Sequence, residues 1–299
     1  MKLKVTIGIF IAVFMGLVLL LYANGKSSNT YAVSQMASFD ENPVSDKMLS
    51  GEADASVEEE PEAQNESAVS DSIFEICKPA PLPGVSEQII KKKAYIVSYN
   101  KDTKIPNWVA WHLTADHTDG SVRRMSNFYE EESVVSPRAT NEDYRGCGWS
   151  RGHMCPAGDN KWDETAMYDS FSLVNVCPQD AKLNSGLWNS VEMDCRKWAK
   201  KYGDIYIVCG PVFYNQEHDM IGDNKVCVSE AFFKVILCLQ GEPKAIGFVI
   251  KNNAGTKKKD QYVNTVDEVE RITGYDFFPA LPDDIENEVE SSASIDDWR

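Results

Sequence analysis

The chain has 299 residues, 43% of them hydrophobic and 10% aromatic, which is enough apolar material for one large or two ordinary domains and excludes whole-chain disorder and a multi-span membrane protein. A net charge of −16 argues at first against a polyanionic partner. The charge is unevenly placed, however: residues 1–39 carry about +3, 40–90 about −11, 91–282 about −2 and 283–299 about −6, so a near-neutral body is left that can hold a basic cleft.

Lys2 and Lys4 precede an uncharged apolar run from Val5 to Ala23. A helix over this run would span roughly 28 Å, close to the ~30 Å of a bilayer core, so residues 1–23 read as either a cleaved signal peptide or an uncleaved signal anchor. Either predicts an exported protein (periplasmic, cell-surface or secreted), with the membrane as a partner if the segment is retained. Residues 24–90 are rich in Ser, Glu, Asn and Ala and include the block Glu58-Glu59-Glu60. Such a stretch cannot bury enough apolar surface to offset its chain entropy, and it reads as a disordered acidic linker. Pro79, Pro81, Pro83 and Gly84 punctuate its end.

A folded domain is predicted over 91–282. Tyr95-Ile-Val-Ser-Tyr99 and Trp108-Val-Ala-Trp-His112 read as strands joined through a turn at Asp102 and Pro106. Asp204–Val208, Ala231–Cys238 and Ala245–Ile250 read as further strands. Asn184 to Tyr202 reads as a helix, and Thr265-Val-Asp-Glu268 is a capping box that opens another. Runs of strands with interrupting helices indicate an α+β fold with a mostly antiparallel central sheet flanked by helices. Residues 283–299 read as a solvated acidic tail. The eight cysteines, following an export signal, suggest disulfides, although buried thiols also act as small apolar residues. Zinc is disfavoured because no C-x-x-C pair exists.

Only four histidines occur: His112, His117, His153 and His218. His153 lies in the glycine-rich segment Ser150-Arg-Gly-His-Met-Cys-Pro-Ala-Gly-Asp159, where alternation along an extended backbone would put Arg151 and His153 on one side. A guanidinium beside an imidazole suits phosphate chemistry: one holds the anion, and the other takes a proton from water near neutral pH. On an ideal helix, Asn184, Trp188, Glu192 and Arg196 fall at about 0°, 40°, 80° and 120°, collecting an amide, a carboxylate and a guanidinium on one arc. Leu187, Val191, Trp198 and Tyr202 would form the adjoining apolar face.

Together with Asn175-x-x-Pro-Gln179, these motifs resemble, in order and over about 190 residues, the sugar-non-specific DNA/RNA endonucleases. These are ββα-metal nucleases that include secreted bacterial enzymes and endonuclease G. The resemblance implies Mg²⁺-dependent hydrolysis of phosphodiester bonds in DNA or RNA, with Mn²⁺ as a substitute ion. It implies His153 as general base, Asn184 as the single protein ligand of the metal, and Glu192 as the group orienting metal-bound water. Arg151 and Arg196 would lie near the scissile phosphate, Asn175 would support the metal site, and Arg124, or its neighbour Arg123, would bind phosphate upstream. The family usually has Asp where this chain has Ser150. The competing expectation is a catalytically silent nucleic-acid-binding or surface interaction module on the same fold.

Overall fold

The computed structural model describes residues 74–299 except 254 and 256. The expected N-terminal hydrophobic segment, and the linker as far as residue 73, lie outside the described residues. Eleven strands occur in chain order: β1 (Gln88–Lys91), β2 (Ile96–Asn100), β3 (Ile105–Thr114), β4 (Ser150–His153), β5 (Val176–Gln179), β6 (Asp204–Val212), β7 (Met220–Ile221), β8 (Val226–Cys227), β9 (Ala231–Cys238), β10 (Lys244–Lys251) and β11 (Val263–Asn264). The principal helices are α1 (Glu164–Ser170), α2 (Asn189–Tyr202), α3 (Val266–Thr273) and α4 (Asp283–Glu290).

Seven strands form one sheet in the order β1-β2-β3-β6-β9-β10-β11, antiparallel at every junction. The fold is α+β, as expected. The period-two alternation of each strand sorts the side chains into two cores. Val109, Trp111, Ile207, Cys209, Phe232, Ile236 and Phe248 point to one face, where Val191, Cys195, Trp198 and Ala199 of α2 cover them. Trp108, Ala110, Val208, Phe233, Val235 and Leu237 point to the other, under Val266, Val269, Val289, Phe277 and Phe278. Both faces of the central strands are therefore dry, which is why their sequences read as near-continuous apolar runs rather than as alternating ones.

Several boundaries differ from the sequence reading. The ordered fold begins before residue 91: Phe74 and Cys77, in a helical turn at 74–77, join the second core, and β1 pairs with β2 from Gln88. Pro106 is no turn residue. It lies within β3 opposite Tyr99, where a register irregularity at Ser98/Tyr99 accommodates it. Only half of the expected capping box forms: Thr265 Oγ1 accepts from the Glu268 amide, while the Glu268 carboxylate pairs with Arg271.

The C-terminal residues are not a solvated tail. α4 packs on the sheet through Val289, and Trp298 is only 1% exposed, its ring 4.6 Å from that of Trp198. The acidic composition conceals this because two aromatic and aliphatic anchors suffice to dock a short, otherwise polar segment.

The expected disulfides do not form among Cys147, Cys155, Cys177, Cys195, Cys209, Cys227 and Cys238, whose thiols are free. Cys155, Cys177, Cys195, Cys209 and Cys238 belong to the first core, where they act as small apolar side chains. Burial pushes the Cys209 thiol up to about 11, away from the reactive thiolate.

Trp298→Ala is expected to lower unfolding stability by about 3–5 kcal/mol, the usual cost of deleting a buried tryptophan side chain. Urea denaturation at neutral pH measures this, and an unchanged midpoint would mean that the C-terminal segment is solvated after all.

Candidate functional site

The glycine-rich segment folds as β4, paired antiparallel with β5 so that His153 faces Val176 and Gly152 faces Cys177. Gly152 is required by close approach: a Cβ there would lie 2.3 Å from Gln179 Oε1. Alternation puts Arg151 and His153 against one ring. The Arg151 guanidinium lies 4.9 Å from the Phe128 centroid, and the His153 imidazole also lies 4.9 Å from it. Phe171 meets the imidazole edge-on at 4.9 Å and carries the Arg124 guanidinium at 5.2 Å. Backbone bonds from Tyr129 N to Phe171 O and from Leu173 N to Tyr129 O hold Phe128 beside Phe171. Two aromatic rings thus form a platform for one imidazole and two cations. Of Arg123 and Arg124, it is Arg124 whose guanidinium lies on this platform.

His153 is 7% exposed, and its Nε2 is buried without a hydrogen-bond partner. Burial, aided by the Arg124 charge, lowers its pKa to about 3 and keeps the ring neutral. The other histidines are engaged elsewhere: His112 with Asp204 at 2.9 Å, His218 with Glu230 at 2.8 Å, and His117 stacked on Trp162 at 4.4 Å. Arg151 Nη1 donates to Asn141 Oδ1 at 2.6 Å, which aims the guanidinium.

Asn175 is a brace. Its Oδ1 accepts from the Cys155 amide at 2.8 Å, and its Nδ2 donates to the carbonyls of Cys155 at 2.8 Å and Ser170 at 2.9 Å. Both amide atoms are consumed in fixing the backbone just beyond His153. Ser150, at the start of β4 opposite Gln179, brings no charge to this loop, so backbone pairing and Asn175 do the bracing.

The expected continuous helix from Asn184 has a different start. Asp180 caps a helical turn at Ala181–Leu183, a π turn follows over Asn184–Trp188, and α2 begins at Asn189. A π turn uses one residue more than an α turn, so everything after it is rephased by about 100°. Asn184 and Glu192, about 80° apart on an ideal helix, come within about 20° of one meridian, and helical side chains lean back toward the N-terminus. Trp188 leaves the polar arc and is fully buried. The side-chain amide of Asn184 and the carboxylate of Glu192 make no hydrogen bond or ion pair among the described residues, so their oxygens are available as ligands.

Arg196 Nη1 donates to Asp159 Oδ1 at 2.7 Å, and Trp111 Nε1 donates to Asp159 Oδ2 at 3.2 Å. Gly158 makes room for this pair, since a Cβ there would lie 2.8 Å from Arg196 Nη1. Lys234 of β9, 1% exposed, has its ammonium 4.8 Å from the Trp111 ring centroid and 4.5 Å from that of Trp188, with no hydrogen-bond partner. Burial raises the Glu192 pKa to about 7 despite the opposing Lys234 charge, with Asp159 adding to the rise and Arg196 and Arg124 reducing it. Asp159, Lys234, Phe128, Phe171 and Asn141 were given no individual role by the sequence reading. Only Lys234 left a plain signal there: one cation in the centre of an apolar strand.

Arg124 and Arg151 thus flank a neutral imidazole, Arg124 and Arg196 bear on Glu192 through their charges, and Asn184 precedes Glu192 close to one meridian of the helix. That arrangement can hold a phosphodiester and abstract a proton near it. By contrast, a surface depression lined by Trp149, Glu217, Asp219, Glu230 and Asn252 contains none of these groups, and its carboxylates would repel phosphate.

Comparison with known proteins identifies the family. Residues 74–284 match the family model for DNA/RNA non-specific endonucleases. The chain is 34% identical over 234 residues to human mitochondrial nuclease EXOG, covering 72% of this chain and 62% of that protein. It is 36% identical to nuclease C1 of Cunninghamella echinulata var. echinulata, covering 67% of this chain and 86% of that one. It is 33% identical to human mitochondrial endonuclease G, covering 67% and 72%. The matched region spans about three fifths of the length of the EXOG relatives (62%, 59%, 58% and 60%). A crystal structure of an EndoG/EndoGI complex superposes with a TM-score of 0.65 at 27% identity, covering 71% of this chain and 91% of that one.

The exported or membrane-anchored location expected from residues 1–23 is overturned by these relatives, since EXOG and endonuclease G are named as mitochondrial nucleases. Among the described residues no helix is long and apolar enough to cross a membrane. Matching the family model over most of its length, the chain belongs to the DNA/RNA non-specific endonuclease family.

Proposed function

We propose that this chain is a Mg²⁺-dependent endonuclease that hydrolyses phosphodiester bonds of DNA and RNA without sequence preference, with His153 as general base and Asn184 as the protein ligand of the metal. The observation that carries the reading is the buried, unpartnered Nε2 of His153 on an aromatic platform shared with Arg124 and Arg151. The donor set suits a hard ion: a carboxamide and a carboxylate, each unengaged, and no thiolate among them. When bound, Mg²⁺, or Mn²⁺ in its place, supplies neutralisation of the charge developing on the phosphate and the leaving oxygen.

Arg124 and Arg151 hold the phosphate oxygens. His153, neutral above a pKa of about 3 in the free protein, accepts the proton of the attacking water. The negative phosphodiester brought beside it raises its proton affinity and strengthens it as a base. With an ion held at Asn184, Glu192 would orient water beside it, and Arg196, held by Asp159, keeps positive charge beside that carboxylate. All these contacts address the backbone, which carries no base information, and none requires a 2′-hydroxyl.

Purified full-length protein with MgCl₂ is expected to cut duplex DNA, single-stranded DNA and RNA, and EDTA to abolish cleavage. His153→Ala should lower the rate by about 10²–10⁴-fold with the circular dichroism unchanged, and Asn184→Ala should raise the Mg²⁺ needed for half-maximal rate. Substrate that is bound but left intact in the presence of Mg²⁺ would reject the enzyme reading.

The imidazole also makes a prediction for stability. The folded pKa of about 3 lies below the ordinary 6.5, so the unfolded chain takes up a proton first as pH falls. The contribution is fully present above 6.5 and is lost as pH drops toward 3. Between pH 7 and 5 the wild type should lose about 2 kcal/mol more unfolding free energy than His153→Phe. Urea titrations at each pH measure this, and parallel curves would mean that the ring is not buried in its neutral form.

A further inference from the structure

On the sheet face opposite the nuclease residues, α3 and α4 bring together carboxylates that the proposed reaction does not use. One oxygen each from Asp267, Glu270 and Glu290 lies within 4.8 Å of the others. Oxygens sharing one ion at about 2.4 Å can be at most about 4.8 Å apart, so this spacing is that of a Ca²⁺ coordination sphere. Acidic residues often cluster without a ligand, but Glu290 adds a separate observation. It is 5% exposed, and its Oε1 is buried without any hydrogen-bond partner. A polar atom withdrawn from water in this way costs about 1–3 kcal/mol, more if charged, unless something satisfies it.

The surroundings supply more negative charge and no compensation. Burial first, then the charges of Glu270, Glu286, Asp267 and Asp276, push the Glu290 carboxyl up to about 9. Nearby Arg271 is taken by Glu268: its Nε and Nη2 donate to the two oxygens of that carboxylate. Glu270 has one oxygen occupied by the Phe277 amide at 2.8 Å, which aims the carboxylate. Packing explains why the carboxylates stay together. Val266, Val269 and Val289 anchor α3 and α4 in the second core with Phe277 and Phe278, so the helices cannot separate to relieve the repulsion.

We infer that Asp267, Glu270 and Glu290 form a Ca²⁺-binding site that ties α4 to α3, distinct from the nuclease site on the other face of the sheet. All-oxygen carboxylate ligation selects a hard cation, and a cluster spread over two helices offers the larger, irregular sphere that Ca²⁺ accepts, whereas Mg²⁺ demands near-ideal octahedral geometry. Bound Ca²⁺ offsets the mutual repulsion of the carboxylates and stabilises the C-terminal helix on the sheet.

The test uses the full chain, freed of metal with EGTA and titrated with CaCl₂ at pH 7.5, read by calorimetry and thermal unfolding. Saturable binding and a Tm increase of roughly 5 °C or more at saturation are expected. Glu290→Gln should abolish both, with nuclease activity in Mg²⁺ retained. Asp267→Asn, at an exposed position where folding is not at risk, should weaken Ca²⁺ binding at least tenfold. His153→Ala should keep the full Ca²⁺ response, which separates this site from the catalytic reading. No Ca²⁺ binding by the wild type, or an undiminished response in Glu290→Gln and Asp267→Asn, would overturn the inference.

Discussion

Four ionisable groups meet between α2 and the central sheet, Asp159 and Lys234 buried and Glu192 and Arg196 half-buried, and their charges have to balance. Asp159 and Glu192 face Arg196 and Lys234, two of each sign, with one close ion pair at 2.7 Å. Removing one member would strand its partner, at a cost of several kcal/mol in a dry setting. The balance fixes where the elements sit: Asp159 belongs to the loop after β4, Glu192 and Arg196 to α2, and Lys234 to β9. Lys234 has no carboxylate in contact and is held between two indole rings. It therefore acts on Glu192 and Asp159 through the field, favouring the ionised form of each.

Preorganisation of the imidazole follows a different logic. Hydrogen bonds hold the backbone around His153 and leave a ring nitrogen spare. Asn175 spends its whole amide on Cys155 and Ser170, and the β4–β5 pairing fixes the preceding residues. Phe128 and Phe171 then orient the ring by shape alone. A general base held by dispersion and backbone geometry keeps its proton-accepting atom unengaged, which a bracing side-chain hydrogen bond at that atom would not allow.

Much of this was legible in the sequence. The central strands announced themselves because they are apolar on both faces, and Ala231–Cys238 matched to the residue. The Arg-Gly-His segment was legible because glycine density and a rare histidine coincide. What stayed hidden depended on contacts between distant residues. The edge strand β1 looks like linker, since Gln88-Ile-Ile-Lys91 is short and gains its hydrogen bonds only from β2. Trp298 sits in an acidic context that outweighs it in any compositional window. Pro106 argued for a turn, but a bulge tolerates it within a strand. The thiols were counted as pairs because their number is even, whereas five of them take separate places in the first core. The π turn leaves no mark that periodicity could detect, because it breaks the period itself.

That turn has a consequence for what the segment can become. Between Asn184 and Glu192 the spacing in residues and the alignment in space are matched only because one surplus residue is absorbed at Asn184–Trp188. Closing that turn into ordinary α-helix with no residue removed would swing the amide by about 100° around the helix relative to everything behind it, whereas losing the surplus residue along with the turn would keep the two side chains aligned. Loop lengths elsewhere on the surface can drift freely, but here residue count and turn type have to change together if the two side chains are to stay on one meridian.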